Sequence, residues 1–224
     1  MSLWRQSLEV SRVDLLVERR LGDTYRIVLP FAVVAMMIFS LALPSSVTDI
    51  GDVGVAVFWA VAILYGMQVA LRTSLTETQQ RRDTVMLLGL DPAARFAGRS
   101  MAAFVLLSAF MGILLVAMIL LFSPELPRGW LIATLGAILL ASAGLAMLAV
   151  LAGEVSAGLR NRSTLAPLII APLVVPLVIG ASQVLESIAR GDGILVWILL
   201  LITADLALLT VGVGLAKPLE EASR

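Results

Sequence analysis

Six long apolar stretches divide this chain, and they restrict its fold more than any other feature. A helix needs about 20 mostly apolar residues to cross a hydrocarbon core about 30 Å thick, because each residue rises 1.5 Å. The chain has 224 residues, of which 60% are hydrophobic and 14% are charged. It is therefore predicted to be an all-α integral membrane protein with six transmembrane helices. The predicted spans cover residues 25–43, 53–71, 101–122, 129–152, 164–185 and 194–216.

The basic residues predict how these spans are oriented. Short loops rich in Lys and Arg stay on the cytoplasmic side of a membrane. Of the 16 basic residues, 14 fall on one side of the predicted topology, and only Arg128 and Arg190 fall on the other. Both termini are therefore predicted to be cytoplasmic. The opposite loops are short and no linker divides the chain, so residues 1–224 are predicted to form a single six-span transmembrane domain.

The composition also limits the chemistry that the chain can perform. It contains no Cys and no His, which removes the commonest nucleophiles, metal ligands and haem ligands. It has no G-x-S-x-G, H-E-x-x-H or G-x-x-x-x-G-K-[ST] motif. The run DPAAR at 91–95 superficially resembles the core of CDP-alcohol phosphotransferases, but the further metal-binding aspartates are missing. We therefore expect no enzyme activity, no catalytic or metal site and no cofactor on this chain. The balanced net charge gives no indication of a nucleic-acid partner.

A polar segment at residues 72–100, here called the elbow, interrupts the apolar pattern. Good helix formers continue to Leu88, so the second span is predicted to extend beyond the membrane as a helix. Gly89 is typical of a helix end, whereas Asp91 followed by Pro92 is typical of a helix start. The elbow is therefore predicted to be a helix, a sharp turn and a second helix.

The elbow combines an apolar tip with charged flanks. Arg95 and Arg99, on its second helix, are predicted to lie near the lipid headgroups. The tip is equally consistent with a docking surface and with packing against the bundle or the headgroups. The tip residues are Val85, Met86, Leu87, Leu88 and Leu90, and the polar flank consists of Glu77, Arg81, Arg82 and Asp83.

The N-terminal residues 1–24 are predicted to form an amphipathic helix lying on the inner leaflet. Arg5, Glu9 and Arg12 share one helical face, and apolar residues occupy two others. The alternative is a plain basic anchor that only sets the topology.

Two of the spans contain residues that are unusual in a lipid environment. Asp205 lies near the middle of the sixth span, where a charge costs at least about 2.5 kcal/mol on insertion scales. It is either a functional group, or a group that is protonated or hydrogen-bonded to a polar neighbour such as Gln68 or Thr203 and only holds helices together. The fifth span is predicted to bend, because each proline removes a backbone hydrogen bond. These prolines are Pro167, Pro172 and Pro176.

Three stretches of the sequence resemble one family. They are VDLLVERR at 13–20, RTSLTETQQRRDTVMLLGLDP at 72–92 and APLVVPLVIGA at 171–181. The chain resembles, over essentially its whole length, the haem exporter B family, which forms a membrane component of the ABC-type haem exporter complex used in cytochrome c maturation. At the elbow it departs from the family pattern, because Arg81 and Arg82 stand where small or acidic residues are usual.

The resemblance implies a permease of the ABC-2 type in the bacterial inner membrane. It further implies that a separate ATPase binds ATP and that the elbow couples this ATPase to the membrane. Other membrane subunits and a haem chaperone on the outer side are the remaining expected partners, and any haem is expected to be ligated by those chains. The residues that would take part at the elbow are Glu77, Arg81, Arg82, Asp83, Met86, Leu87, Leu88, Leu90, Asp91 and Pro92. The alternatives are a drug or lipid export permease of the same fold and a non-transporting scaffold of the complex.

Overall fold

The chain is helical in every part that its computed structural model describes, namely residues 2–22, 24–43, 50–75, 90–124, 129–156 and 162–222. No strand occurs in these ranges. A π-helical turn at Thr24–Val28 joins the first two helices. The helices are α1 (Leu3–Leu21), α2 (Leu29–Ala42), α3 (Ile50–Leu75), α4 (Pro92–Phe122), α5 (Trp130–Ser156), α6 (Arg162–Arg190) and α7 (Leu195–Ala222).

Five helical segments are long and apolar enough to cross a membrane, and they coincide with five of the predicted spans. They are Thr24–Ala42, Val53–Ala70, Pro92–Phe122, Trp130–Val155 and Leu195–Ala216. The remaining prediction, 164–185, falls within the 29-residue helix α6, of which the structure describes an apolar segment at Pro172–Ile188. The sixth crossing therefore stays a prediction.

Successive helices from α3 onward run in alternating directions, which gives the bundle two distinct ends. The start of α3 packs at Gly54 against Phe122, at the end of α4. The start of α4 packs at Phe96 against Gly212, near the end of α7. We call the end where α4 begins and α7 ends the elbow end, because the elbow joins α3 to α4 there. The opposite end is the far end.

Helix α5 occupies the centre of the bundle. In its apolar segment 72% of the residues are buried, against 11% in the corresponding segment of α7. It packs against α3, α4, α6 and α7. Most of the largest buried side chains come from α3, α4, α5 and α6, including Phe58, Phe110, Leu148 and Leu177, and α2 contributes Met36. Burial of this apolar surface within the protein leaves α2 and α7 with mostly outward-facing side chains.

Helix α1 confirms the predicted N-terminal helix and explains its divided amphipathic pattern. Its charged face with Arg5, Glu9 and Arg12 is exposed. Its small polar residues Ser7 and Ser11 are buried and face the bundle, where α1 packs along α4. The helix thus uses one face for protein contacts, and its position on the inner leaflet stays a prediction.

The end of α1 has the backbone geometry that a glycine permits. Gly22 is left-handed with φ 68°, and its N–H donates to the Glu18 carbonyl oxygen at 2.6 Å. The Glu18 carboxylate accepts a second bond of 2.9 Å from the backbone N–H of Thr24, at the start of the π-helical turn. These two bonds fix the direction in which the chain leaves α1 and enters α2.

Candidate functional site

Asp91 and Pro92 start helix α4 as the sequence predicted. Asp91 is extended, with φ −65° and ψ 129°, and its Oδ1 accepts a 2.9 Å hydrogen bond from the Ala93 N–H. Pro92 occupies the first turn, where its missing N–H is not needed. The backbone N–H of Asp91 donates to Gln6 Oε1 at 3.2 Å. The start of α4 is therefore attached to α1 as well as capped.

A close helix crossing gives α1 and α4 a second contact, at Gly98. A Cβ atom built on this glycine would lie 2.5 Å from the Ser7 carbonyl oxygen and 2.7 Å from Val10 Cβ. The first distance involves a backbone atom, so a side-chain rotation could not relieve it. Only a glycine at position 98 lets the two helices approach this closely.

A buried ionic cluster joins the start of α4 to the end of α5. Arg95 Nη2 lies 3.0 Å from Glu154 Oε2 and 3.3 Å from Glu154 Oε1. Arg99 Nη1 lies 3.5 Å from the same Oε1. The side chains of Arg95, Arg99 and Glu154 are 5%, 8% and 6% exposed. One carboxylate on α5 is thus held by two guanidinium groups that stand one helical turn apart on α4.

Arg95 and Arg99, predicted to lie near the lipid headgroups, are buried inside the protein. Both side chains turn inward, toward Glu154, because α4 and α5 are antiparallel neighbours and the start of one lies beside the end of the other. Helix α4 begins at Pro92, as predicted, and continues without a break through the predicted third span. Buried charges of this kind need a partner, and Glu154 supplies it.

A small apolar cluster at the elbow end includes residues next to the ionic one along α4 and α5. It comprises Phe96 of α4, residues of α5 and Ala216 of α7, and it is separate from the main core. A Cβ atom built on Gly212 would overlap the ring of Phe96, so the glycine provides the space for this ring. We call the contacts that residues 91–99 make with Gln6, Ser7, Val10, Glu154 and Gly212 the anchor of α4.

The structure describes only part of the predicted docking elbow. Leu90, Asp91 and Pro92 are half-buried, beside the anchor. The other residues predicted to dock lie outside the described part of the chain: Glu77, Arg81, Arg82, Asp83, Met86, Leu87 and Leu88.

Asp205 contacts a different helix from the one expected. Its Oδ1 is buried without a hydrogen-bond partner in the described structure, and a Cβ atom built on Gly144 of α5 would lie 2.6 Å from it. Thr203 donates its hydroxyl to the carbonyl oxygens of Leu199 and Leu200 in its own helix. Gln68 is exposed on α3. Neither predicted partner therefore satisfies this oxygen, and Asp205 lies in a close crossing between α7 and α5.

The three prolines of the fifth predicted span lie in one uninterrupted helix. Pro167, Pro172 and Pro176 all belong to α6, and the rings of Pro172 and Pro176 are exposed on its outer surface. The predicted bend of this helix stays a prediction.

Sequence reasoning missed Glu154 and the role of Gln6 and Gly98. The available signal was the acidic residue just beyond the fourth predicted span, which ends at 152. Consecutive antiparallel helices place such a residue opposite the start of the preceding span, where Arg95 and Arg99 stand four residues apart.

The anchor holds the start of α4 in place through ion pairs, a helix cap and close helix crossings. The described residues include no group of three or more Asp or Glu that could hold a metal ion.

A family model described as "CcmB protein" matches residues 5–218 of the chain. No curated protein matches it significantly.

Proposed function

Because this chain belongs to the CcmB family, the haem exporter B component of cytochrome c maturation, we propose that it is an ABC-2-type permease subunit. In this role it couples ATP hydrolysis by a separate ATPase to haem handling and export. The elbow between α3 and α4 receives the movement of the ATPase. The chain itself is not an enzyme, since its sequence lacks a nucleotide-binding motif.

The anchor of α4 is the observation that supports this role best. An elbow can pass on a rigid-body movement only if the helix that follows it has a fixed starting point. Asp91 supplies that point through its cap on Ala93, and Glu154 holds the next two turns.

The membrane orientation is part of the same proposal. With both termini in the cytoplasm of a bacterium, the elbow end faces the ATPase and the far end faces the outer side of the inner membrane. The 14 basic residues assigned to the inner side support this orientation. The further partners are other membrane subunits of the maturation complex and a haem chaperone on the outer side.

Any haem in the complex is proposed to be ligated by other chains. This chain has no His or Cys, so only Met or Tyr side chains could serve as axial ligands. The purified subunit should therefore show no specific haem absorbance band when haem is added. A stoichiometric, saturable band would contradict this part of the proposal.

Copurification of the ATPase with elbow variants tests the proposed function. Leu87→Asp should weaken the association by placing a charge in a desolvated contact. Arg81→Ala should have a small effect, because exposed ion pairs contribute about 0–1 kcal/mol. Both variants are compared at equal membrane levels of this subunit. Full recovery of the ATPase with Leu87→Asp would show that the apolar tip is not a docking surface.

ATP turnover distinguishes the coupling role from a passive scaffold. If the subunit only holds the complex together, elbow variants that still bind the ATPase would leave its turnover unchanged. The CcmB family match favours haem handling over export of a drug or a lipid.

A further inference from the structure

We infer that Glu154 is a positioning residue for energy coupling, which makes the base of the elbow and the end of α5 move as one unit. This inference rests on the proposed function, because it concerns where the movement received by the elbow goes next. The ATPase would move the elbow, the elbow would move the start of α4, and Glu154 would pass the displacement to the centre of the bundle.

The geometry of the ionic cluster prevents the two helices from sliding past each other. Arg95 and Arg99 approach one carboxylate from positions one turn apart along α4. A shift of α4 along its axis would improve one contact only by breaking the other. Separation of α4 from α5 would break both buried ion pairs with Glu154, which is strongly unfavourable. Small relative movements at this point are therefore opposed in both directions.

Packing holds the same segment of α4 on two further sides. On one side, Gly98 lies against the backbone of Ser7, and Gln6 accepts the hydrogen bond from Asp91. On another side, Phe96 fills the space above Gly212 of α7. The start of α4, α1 and the elbow-end portions of α5 and α7 thus form one packed unit, of which Glu154 is the ionic part.

The position of α5 explains why the movement of its end matters. This helix is the most buried of the five spans and packs against α3, α4, α6 and α7. Because packed interiors respond to strain by shifting between discrete arrangements, a displacement of α5 changes its contacts with several helices together. Asp205 lies at one of these contacts, beside Gly144 of α5.

Stability alone does not account for charges at this place. Replacing a buried ionic cluster by apolar residues of similar volume is often neutral or stabilising, whereas removing one partner is costly. The cluster therefore contributes fixed relative positions of α4 and α5 more than it contributes net stability. This property is what a coupling element requires.

The test is Glu154→Gln in the complete complex with its ATPase and partner subunits, reconstituted in lipid. Glu186→Gln is the matched control, because Glu186 also pairs with an arginine, Arg190 at 3.3 Å, but is 52% exposed. Three quantities are measured: the ATPase that copurifies, the rate of ATP hydrolysis, and the mature cytochrome c formed per ATP. Glu154→Gln should retain the ATPase but lower the cytochrome yield per ATP about tenfold, within the usual range of coupling energies. Glu186→Gln should leave all three unchanged.

The charge-exchanged variant Arg95→Glu/Glu154→Arg provides the rescue. It places one carboxylate on α4 opposite one guanidinium on α5, so a single ion pair joins the two helices in place of two, and Arg99 faces the new carboxylate one turn away on α4. It should recover part of the yield that Glu154→Gln loses. A wild-type yield from Glu154→Gln, or an exchanged variant that assembles with a yield no higher than that of Glu154→Gln, would overturn the inference. Loss of the ATPase from wild-type complexes would instead contradict the proposed function.

A distance measurement tests the inference even where these variants do not accumulate. The natural chain contains no Cys, so spin labels react only with introduced cysteines. These are placed by Leu16→Cys in α1 and Leu215→Cys in α7. Both side chains are exposed, at 46% and 41%. The distance between the labels should be the same in the nucleotide-free and ATP-trapped complexes. A change in this distance on nucleotide binding would show that the elbow end is not one unit.

Discussion

Asp91 serves two neighbouring elements from a single position. Its carboxylate accepts from Ala93 N–H and begins α4, while its own N–H donates to Gln6 of α1. The first bond depends on the side chain and the second depends only on the backbone. Substitution can therefore separate the two roles, which makes Asp91 a useful residue for testing the anchor.

Replacement of Asp91 by Ala should loosen the first turn of α4. We expect a loss of about 1 kcal/mol of helix stability, since the Ala93 N–H loses its acceptor. Asp91→Ser should preserve most of the cap. Hydrogen exchange of the backbone amides at residues 93–95, measured in detergent, should be faster in the Ala variant and near wild type in the Ser variant. Equal exchange in all three proteins would mean that the cap does not hold this turn.

Asp205 provides a second test at a single residue. Asp205→Asn retains the shape of the side chain and should preserve assembly. Asp205→Leu should lower the free energy of unfolding by about 1–3 kcal/mol, because its methyl groups would crowd Gly144 and Leu177. Thr203→Leu, on the exposed side of the same helix, is the control. Thermal unfolding in detergent and the yield of mature cytochrome c measure the effect. If Asp205→Leu behaves as Thr203→Leu does, Asp205 has no role in helix pairing.

At the scale of elements, α1 can pack closely against α4 because Gly98 has no side chain. Gly98→Ala would bring a Cβ atom within 2.5 Å of the Ser7 carbonyl oxygen. We expect the two helices to separate, at a cost of about 1–3 kcal/mol. Gly112→Ala in the same helix meets nothing within 4 Å and should be neutral or stabilising by up to about 1 kcal/mol.

Maleimide labelling can follow this separation directly. A cysteine at the buried position Ser7 should react slowly in the parent protein and in Gly112→Ala, but faster in Gly98→Ala. The parent contributes no background, since it has no cysteines. Slow labelling in the Gly98 variant would indicate that α1 does not need this close crossing.

The elements show clearly where sequence reasoning succeeded. The start of α4 could be predicted at Asp91 and Pro92, because cap and proline act through local backbone chemistry. The burial of the first two turns of α4 could not be predicted, because a hydropathy scale treats Arg95 and Arg99 as solvated charges. Their burial depends on Glu154, which lies 59 residues after Arg95 in the sequence. A partner at that separation is visible only when the order of neighbouring helices is considered.

At the scale of the whole molecule, the distribution of basic residues predicts which loops face each side of the membrane. Cysteines placed at Thr48 and Ser123 should react with an impermeant reagent from outside intact cells. Cysteines at Gln79 and Ser223 should react only after the membrane is opened, because the basic residues hold those segments in the cytoplasm. The opposite pattern at any two of these four positions would refute the topology.

The arrangement of the helices could not be predicted from composition. Apolar length identifies the spans, since the bilayer imposes it on each helix separately. The apolar segments of α5 and α7 both satisfy that criterion, yet 72% of the first and 11% of the second is buried. Lipid and protein interiors are similarly apolar, so hydropathy does not distinguish a central helix from a peripheral one.

The unbroken length of α4 has a consequence for how the two sides of the membrane communicate. Its 31 residues contain no proline after Pro92, and they run from the anchor to Phe122 at the far end. There α4 meets Gly54 of α3 and accepts a hydrogen bond from Ser40 of α2 at the Leu121 carbonyl oxygen.

A helix of this length is roughly 45 Å long. If it moves as a rigid body, a 10° tilt about its midpoint displaces its two ends by about 4 Å in opposite directions. If the elbow end is displaced as proposed, the same tilt displaces the far end, at α2 and α3, in the opposite direction. The stiffness of one helix would then carry the movement across the bilayer without a second signal.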